Sequence, residues 1–546
     1  MAVTRPLAQR VAVILPGNDG EVPRNSTQEL KAYYAALLVM LLMVLAPIWI
    51  VKYPGMVDYP NHLVRCYILA HYHDNPLWQQ RYLLDLSPLP NLAIDLIVTP
   101  LLRILPLIVA GKVFLSLAAA LYVLGCSEVG RTVIGKLNWL ALVCAFTFYN
   151  SDLLFGFVNY VFGIGVFLCA FAYWLRIRNA MTPLRFFLCC LLSLAAYFAH
   201  LSSVVILGIA CCTIALLEFV RDRKIRSLIV KLAWLACPVF LMAGFLKSSG
   251  QIGTIDWGSP SEKLIALLAP VRSYSVALDV GVIFVLLVCA LAMLRGSKVH
   301  SVAVVSPVLF ALLLITPKAL YTVSAADARY VIPAYLLLIL SIEPCCGRWR
   351  KAALAVALAA MAIRTGSITA DWLAISQRSE QLLAMGNILP EGARIYVIKP
   401  ALDLSAKRDR GDVHVIQFWT VSHDAELSNL FAFRGAQPLV FRQPPCGGPE
   451  WEKCLASYDF VWTYDPPEFL RQVILRIATP AAAWEKVTLW RVNRKSFSST
   501  EPGHDTAHFC RGKYIDAAKQ MKKGIRGGTA RKAMNLWSVP EEDGSG

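Results

Sequence analysis

Eleven separate apolar runs leave this chain few folds to choose from, because each is close to the ~20 residues a helix needs to cross a bilayer. They lie at 32–51, 108–127, 137–150, 156–175, 185–199, 202–219, 229–246, 278–294, 301–316, 330–343 and 351–366. In hydrocarbon a spanning segment has to satisfy its own backbone polar groups, so such runs fold as helices. The expectation is a polytopic α-helical membrane protein of about eleven spans. Composition agrees, since 57% of the 546 residues are hydrophobic and 16% are charged, against about 25% charged in ordinary soluble domains.

The formal charge of +17 would suit a nucleic-acid binder. Lys and Arg, however, sit mostly in short loops between apolar runs and in the tail, which is the pattern of membrane orientation. The difficult segment is NLAIDLIVTPLLRIL, 91–105, which Asp95, Pro100 and Arg103 interrupt. Laid on the membrane surface with the N-terminus inside, it leaves Arg131, Lys136, Arg176, Arg178, Arg185, the RDRKIR cluster at 221–226, Lys231, Arg295, Lys298 and Arg348 all on the inner side. Counted as a span, it inverts everything after it and puts RDRKIR outside.

This topology gathers the polar residues of interest on the outer side. The expected organisation is an inner tail over 1–31, a membrane module over 32–366 whose first outer loop is 52–107, and an outer α/β domain over 367–495. A disordered basic tail fills 496–546. The α/β reading rests on apolar alternation near 394–399, 438–442, 458–464 and 486–492, with helices over 373–388 and 467–477. The first 30 residues lack the apolar core of a signal peptide, so the first span reads as an uncleaved anchor. Most of the 15 cysteines lie inside apolar runs, Cys189, Cys190, Cys211 and Cys212 among them, and no paired CxxC occurs. Cys446 and Cys454 stand apart in a polar stretch as a candidate pair.

Chemistry concentrates in GMVDYPNHLVRCYILAHYHDNP, 55–76. With Pro60 opening a helix, Asp58, His62 and Arg65 fall at about i, i+4 and i+7, on one face. A simpler reading makes Asp58 the cap of that helix. His71, His73 and Asp74 form HxHD, but alternate residues of a helix do not share a face, which argues against a metal site. Asp152 also reads as a turn residue, His200 as an interface residue, Asp327 as a holder for Arg329, and Lys112 as a snorkelling side chain. Asp95 and Arg103 are expected to face the headgroups. The loop over 247–277 has the composition of a mobile flap or of a plain connection.

VDYPNHLVR, followed by FYNSDLLFGFVNY, AHLSS and AADARYVIP, resembles the GT-C class of integral membrane glycosyltransferases, which includes protein O-mannosyltransferases and the aminoarabinose transferase of lipid A. The resemblance covers about 32–490 as architecture. It implies a polyprenyl-phosphate-linked sugar donor, a lipid, glycan or protein acceptor, inversion at the sugar, and a site on the periplasmic side of a bacterial inner membrane. It makes Asp58 the catalytic acid or base, with His62 tuning it. Arg329 is the first choice for meeting the departing phosphate, with Arg65 and Lys112 behind it, and Asp152, His200 and Asp327 are further substrate-binding candidates. The class often pairs two acids in this loop, whereas Asp58 is followed by Tyr59 and Pro60. A divalent metal is therefore left open but is not supported by a paired-acid motif, and no cofactor is assigned with certainty. A lipid-linked glycan transporter or ligase and a non-catalytic scaffold remain as alternatives.

Overall fold

The computed structural model describes residues 13–14, 26–248, 254–294, 296–321, 324–345, 347–398, 414–445 and 455–494. Cys446, Cys454, the 496–546 tail and most of the 1–31 tail lie outside these residues. Every apolar run named above contains helix. Among the described residues seven helices are long and apolar enough to cross a membrane: Thr27–Ile50, Leu107–Ile134, Val158–Ile177, Leu201–Asp222, Ile225–Phe245, Val276–Leu294 and Arg348–Ile388. Four shorter apolar stretches, Leu140–Phe155, Pro183–Ala199, Ser301–Ile315 and Ala328–Leu340, match the remaining runs. The protein is a polytopic helical membrane protein. Its first helix starts earlier than expected because Ser26 and Glu29 form a reciprocal capping box.

The centre of the bundle is Val158–Ile177, buried on nearly every face. It packs on Leu107–Ile134 at short range because glycines line the seam. A Cβ on Gly165 would lie 2.8 Å from Leu121 Cβ, and one on Gly125 would lie 2.6 Å from Leu168 Cβ. Small residues at such seams let backbones approach without a driving force from water. The periphery is the reverse. Val276, Val280, Phe284, Leu287 and Leu291 are all exposed along one stripe of Val276–Leu294, where they suit lipid.

The 91–105 segment forms only the nine-residue helix Ala93–Leu101, about 14 Å long and short of a bilayer. It packs against Tyr59–His71.

No break in the helix marks the boundary expected at 366/367. Arg348–Ala384 is one continuous helix of 37 residues. Polar residues begin after Arg364, but no proline or cap signal breaks the chain there, so the helix carries on. The strands beyond it form a five-stranded sheet in the order Ala478–Trp484, Val487–Val492, Phe460–Tyr464, Arg394–Ile398, Glu426–Leu427. Phe460–Tyr464 runs parallel to Arg394–Ile398 and antiparallel to Val487–Val492. Leu470 and Ile474 of the helix Glu468–Ile477 cover one face, in a cluster with Val461 and Trp490. The strand expected at 438–442 takes a different partner. Leu439–Phe441 pairs with Tyr82–Leu84 of the first outer loop, and Arg81 bonds the Gly392 and Asp424 carbonyls and Glu426. The C-terminal part is thus built onto the first outer loop rather than tethered beyond it.

Candidate functional site

Pro60 lies in the first turn of Tyr59–His71, where a missing amide hydrogen costs nothing, and Asp58 is the residue that precedes that helix. Its backbone is helical (φ −88°, ψ −10°) and its side chain makes no capping bond. The carboxylate is instead 7% exposed, with Oδ1 3.5 Å from Nε2 of His414. Its position is set by main chain: Val57 and Asp58 donate to the Leu154 and Phe155 carbonyls at 3.3 and 3.0 Å. The approach depends on Gly156, at φ +101°, where a Cβ would stand 2.5 Å from the Asp58 nitrogen.

The other expected members of this cluster are engaged elsewhere. His62 donates its amide hydrogen to the Asp58 carbonyl at 3.2 Å. Its ring meets Phe431 edge-on at 5.4 Å, and Nδ1 has no partner among the described residues. Burial, with Arg65 nearby, lowers its pKa well below the ordinary value, so the ring is neutral. Arg65 is held by the second surface helix, with Nη1 left without a partner. Its Nε and Nη2 donate to both oxygens of Asp95 at 2.7 and 2.8 Å, and this buried pair ties the two surface helices together. Asp95 therefore does not face headgroups; a buried guanidinium needs a counter-charge, and the second helix supplies it. Lys112 donates to the Val51 carbonyl at 2.5 Å and lies 5.6 Å from the Trp49 ring, at the end of the first span.

Arg329 lies in the turn Ala328–Tyr330 that opens the helix Val331–Leu340. Its guanidinium is buried, stacked near Phe157 and Tyr160 at 5.1 and 5.7 Å. One nitrogen is 2.6 Å from Nε2 of His200 and another donates to the Ser324 carbonyl at 3.2 Å. Nε has no partner, and among the described residues no carboxylate comes within ion-pair distance of Arg329. His200 joins Pro183–Ala199 to Leu201–Asp222. It fits because a side chain on Gly163 would collide with Ser203 Oγ and approach the His200 Cβ at 3.1 Å. Asp327, expected to hold Arg329, pairs with Lys263 at 2.7 Å.

Asp152 belongs with Arg329. It lies in the short loop helix Ser151–Phe155, is buried, and its Oδ2 has no hydrogen-bond partner. Burial raises its pKa to about 6 against the pull of Arg329, with Asp327 adding to the rise. The loop that carries Asp152 links the two halves of the site. Phe155 accepts from the Asp58 amide, and Phe157 puts its ring under the Arg329 guanidinium. Asp58, Asp152, His200 and Arg329 therefore surround one short stretch, the loop 151–157.

His414 and its companions Asn61, Asn429 and Gln417 were missed by sequence reasoning. Nothing local marks a histidine more than 350 residues from its partner, although Asn61 lies inside the VDYPNHLVR motif. Among the described residues no three His, Cys, Asp or Glu side chains gather as a metal site. In the HxHD run, Asp74 pairs with Arg103 at 2.6 Å and with His71 at 3.3 Å.

No protein-family profile matches the chain, and no curated protein matches it. Solved structures do. The chain aligns with ArnT from Cupriavidus metallidurans bound to undecaprenyl phosphate at a TM-score of 0.50 and 11% identity, over 85% of this chain and 98% of that one. For apo ArnT from the same organism the TM-score is 0.51 at 11% identity, over 88% and 100%. The arabinofuranosyltransferase AftD from Mycobacteria aligns at a TM-score of 0.46 and 14% identity, over 87% of this chain and 40% of AftD. The fold is that of ArnT, which is the GT-C architecture the resemblance implied.

Proposed function

We propose that this protein is a glycosyltransferase that moves a sugar from a polyprenyl-phosphate donor to a hydroxyl acceptor at the outer face of the membrane. The observation that carries this reading is the buried Arg329 guanidinium, which has no carboxylate in ion-pair reach among the described residues and leaves Nε unused. A buried cation that touches no carboxylate is costly, and a planar guanidinium suits a phosphate. ArnT of this fold has been solved with undecaprenyl phosphate bound, which supports a polyprenyl phosphate as the missing anion.

The chemistry follows from the residues. Asp58 takes the proton of the acceptor hydroxyl as its oxygen attacks the anomeric carbon. The bond from that carbon to the phosphate oxygen breaks, its electron pair leaves with the polyprenyl phosphate, and Arg329 meets the growing charge. Attack opposite the leaving group inverts the sugar. Asp152, with a free oxygen beside Arg329, orients the reacting groups. No metal is required by this scheme.

The reading is tested by incubating native membranes containing the protein with labelled polyprenyl-phosphate sugars. Protein-dependent release of free polyprenyl phosphate, matched by label in an acceptor, is expected. If no donor of this class is consumed, the assignment is wrong.

A further inference from the structure

We infer that His414 is a positioning residue for Asp58: a neutral imidazole whose Nε2–H is aimed at the carboxylate and keeps it ionised. The inference rests on Asp58 being the base, and goes beyond it by naming what holds that base ready.

The argument starts from groups whose hydrogen-bonding roles are fixed. The Phe431 amide can only donate, and its partner is Asn61 Oδ1 at 2.6 Å. The Asn429 carbonyl can only accept, and its partner is Asn61 Nδ2 at 2.9 Å. Between them they determine which end of the Asn61 amide is which. The same Nδ2 reaches His414 Nδ1 at 3.0 Å. Asn429 Nδ2 approaches that atom too, at 3.2 Å, while Asn429 Oδ1 accepts from Gln417 at 2.7 Å. Two amide donors converge on Nδ1, so Nδ1 holds a lone pair and the ring proton is on Nε2. That is the nitrogen facing Asp58.

Two consequences follow. Protonating Nδ1 would set its hydrogen against both amide donors, so the ring stays neutral and is not a proton relay. A neutral N–H donor favours the ionised carboxylate and opposes the effect of burial. The charged and titratable groups around Asp58 among the described residues are His62 and the neutralised Arg65–Asp95 pair on the surface helices, Asp152 on the adjoining loop, and His414 on the C-terminal segment. His414 is 1% exposed, with its ring against Phe431 at 5.6 Å.

The test has two arms, both on the full-length protein in lipid. In solid-state NMR of protein labelled with [15N]histidine, the resonance lost in His414→Gln should show an unprotonated Nδ1 and a protonated Nε2, and Asn61→Leu should mix the tautomers. A protonated Nδ1 in the unaltered protein overturns the inference, whatever its activity. In the transfer assay, His414→Ala should move the acidic limb of the pH–rate profile up by about one unit, a loss approaching tenfold below the limb that recovers above it. His414→Gln, which keeps an N–H donor, should restore most of it. An acidic limb that does not move, alongside loss of transfer in Asp58→Asn, removes the role of His414 and leaves the enzyme reading intact. Absence of transfer in the unaltered protein strikes that reading instead.

Discussion

Nε2 of His200 lies 2.6 Å from a guanidinium nitrogen of Arg329 while Nδ1 of the same ring accepts the Ser202 amide at 3.1 Å. Both ring nitrogens face donors, yet a neutral imidazole offers one lone pair. Burial, with Arg329 beside it, keeps this ring neutral by lowering its pKa. Arg329 is therefore placed by His200 without being satisfied by it, and keeps capacity for an anion. Arg329→Gln should weaken binding of a polyprenyl-phosphate donor by about 10- to 100-fold, the cost of losing a charge-assisted contact. Native mass spectrometry with undecaprenyl phosphate reads this directly, and equal retention of the lipid by both forms would remove Arg329 from the site.

Asp152 gives a pH signature in stability. Its pKa is raised from 3.8 to about 6 in the folded protein, so the folded state holds the proton more tightly. The associated stability is fully present below pH 3.8 and is lost as pH rises through 6. Asp152→Asn stays neutral throughout. Relative to the native protein it should gain stability on the order of 3 kcal/mol at pH 8 and nothing near pH 4, from a shift of about two units. Thermal unfolding in detergent across this range measures it, and activity should fall while stability rises.

Arg65 and Asp95 make the opposite case, a buried pair whose work is structural. Arg65→Met alone leaves Asp95 buried without its partner and should cost about 3–5 kcal/mol. Adding Asp95→Leu should recover most of that loss. If Arg65 bound substrate instead, the single change would leave unfolding temperature untouched and the double change would not restore transfer.

Gly156→Ala tests the close approach under Asp58. The new methyl would meet the Asp58 nitrogen and Cα at 2.5 and 2.9 Å, both backbone-linked atoms with nowhere to move, at a backbone angle that disfavours any side chain. Transfer should fall in Gly156→Ala and hold in Gly135→Ala. Gly135 also has a positive φ but has open space around the added carbon, so only a strain cost of about 1 kcal/mol is expected there. Comparable activity in the two variants would mean that the loop does not position Asp58.

The spans were legible because hydrocarbon leaves an apolar run one structure to adopt, and Pro60 marked the start of the first surface helix. The rejection of 91–105 as a span was also readable from Asp95 and Pro100. Partner choice was not. Helical spacing placed His62 and Arg65 on the face of Asp58, but spacing is blind to the second surface helix, whose Asp95 takes Arg65. Asp327 was expected to hold Arg329 as its near neighbour, yet Lys263 from the preceding loop is the group it meets. His414 was invisible because the C-terminal part folds back on the 52–107 loop, through the strand Leu439–Phe441 and the Arg81 and Asn61 contacts, and sequence spacing does not report such long-range pairing. The continuous helix across 366/367 was read as two because polarity changes there, although polarity alone does not end a helix.

The central claim is that Asp58 accepts the acceptor proton. It is tested most directly by single-turnover transfer from a labelled polyprenyl-phosphate sugar, comparing the native protein with Asp58→Asn, each first shown to bind undecaprenyl phosphate. The account predicts unchanged lipid binding and a rate lower by at least about 100-fold, the usual contribution of a general base. Transfer at the native rate by Asp58→Asn would contradict it.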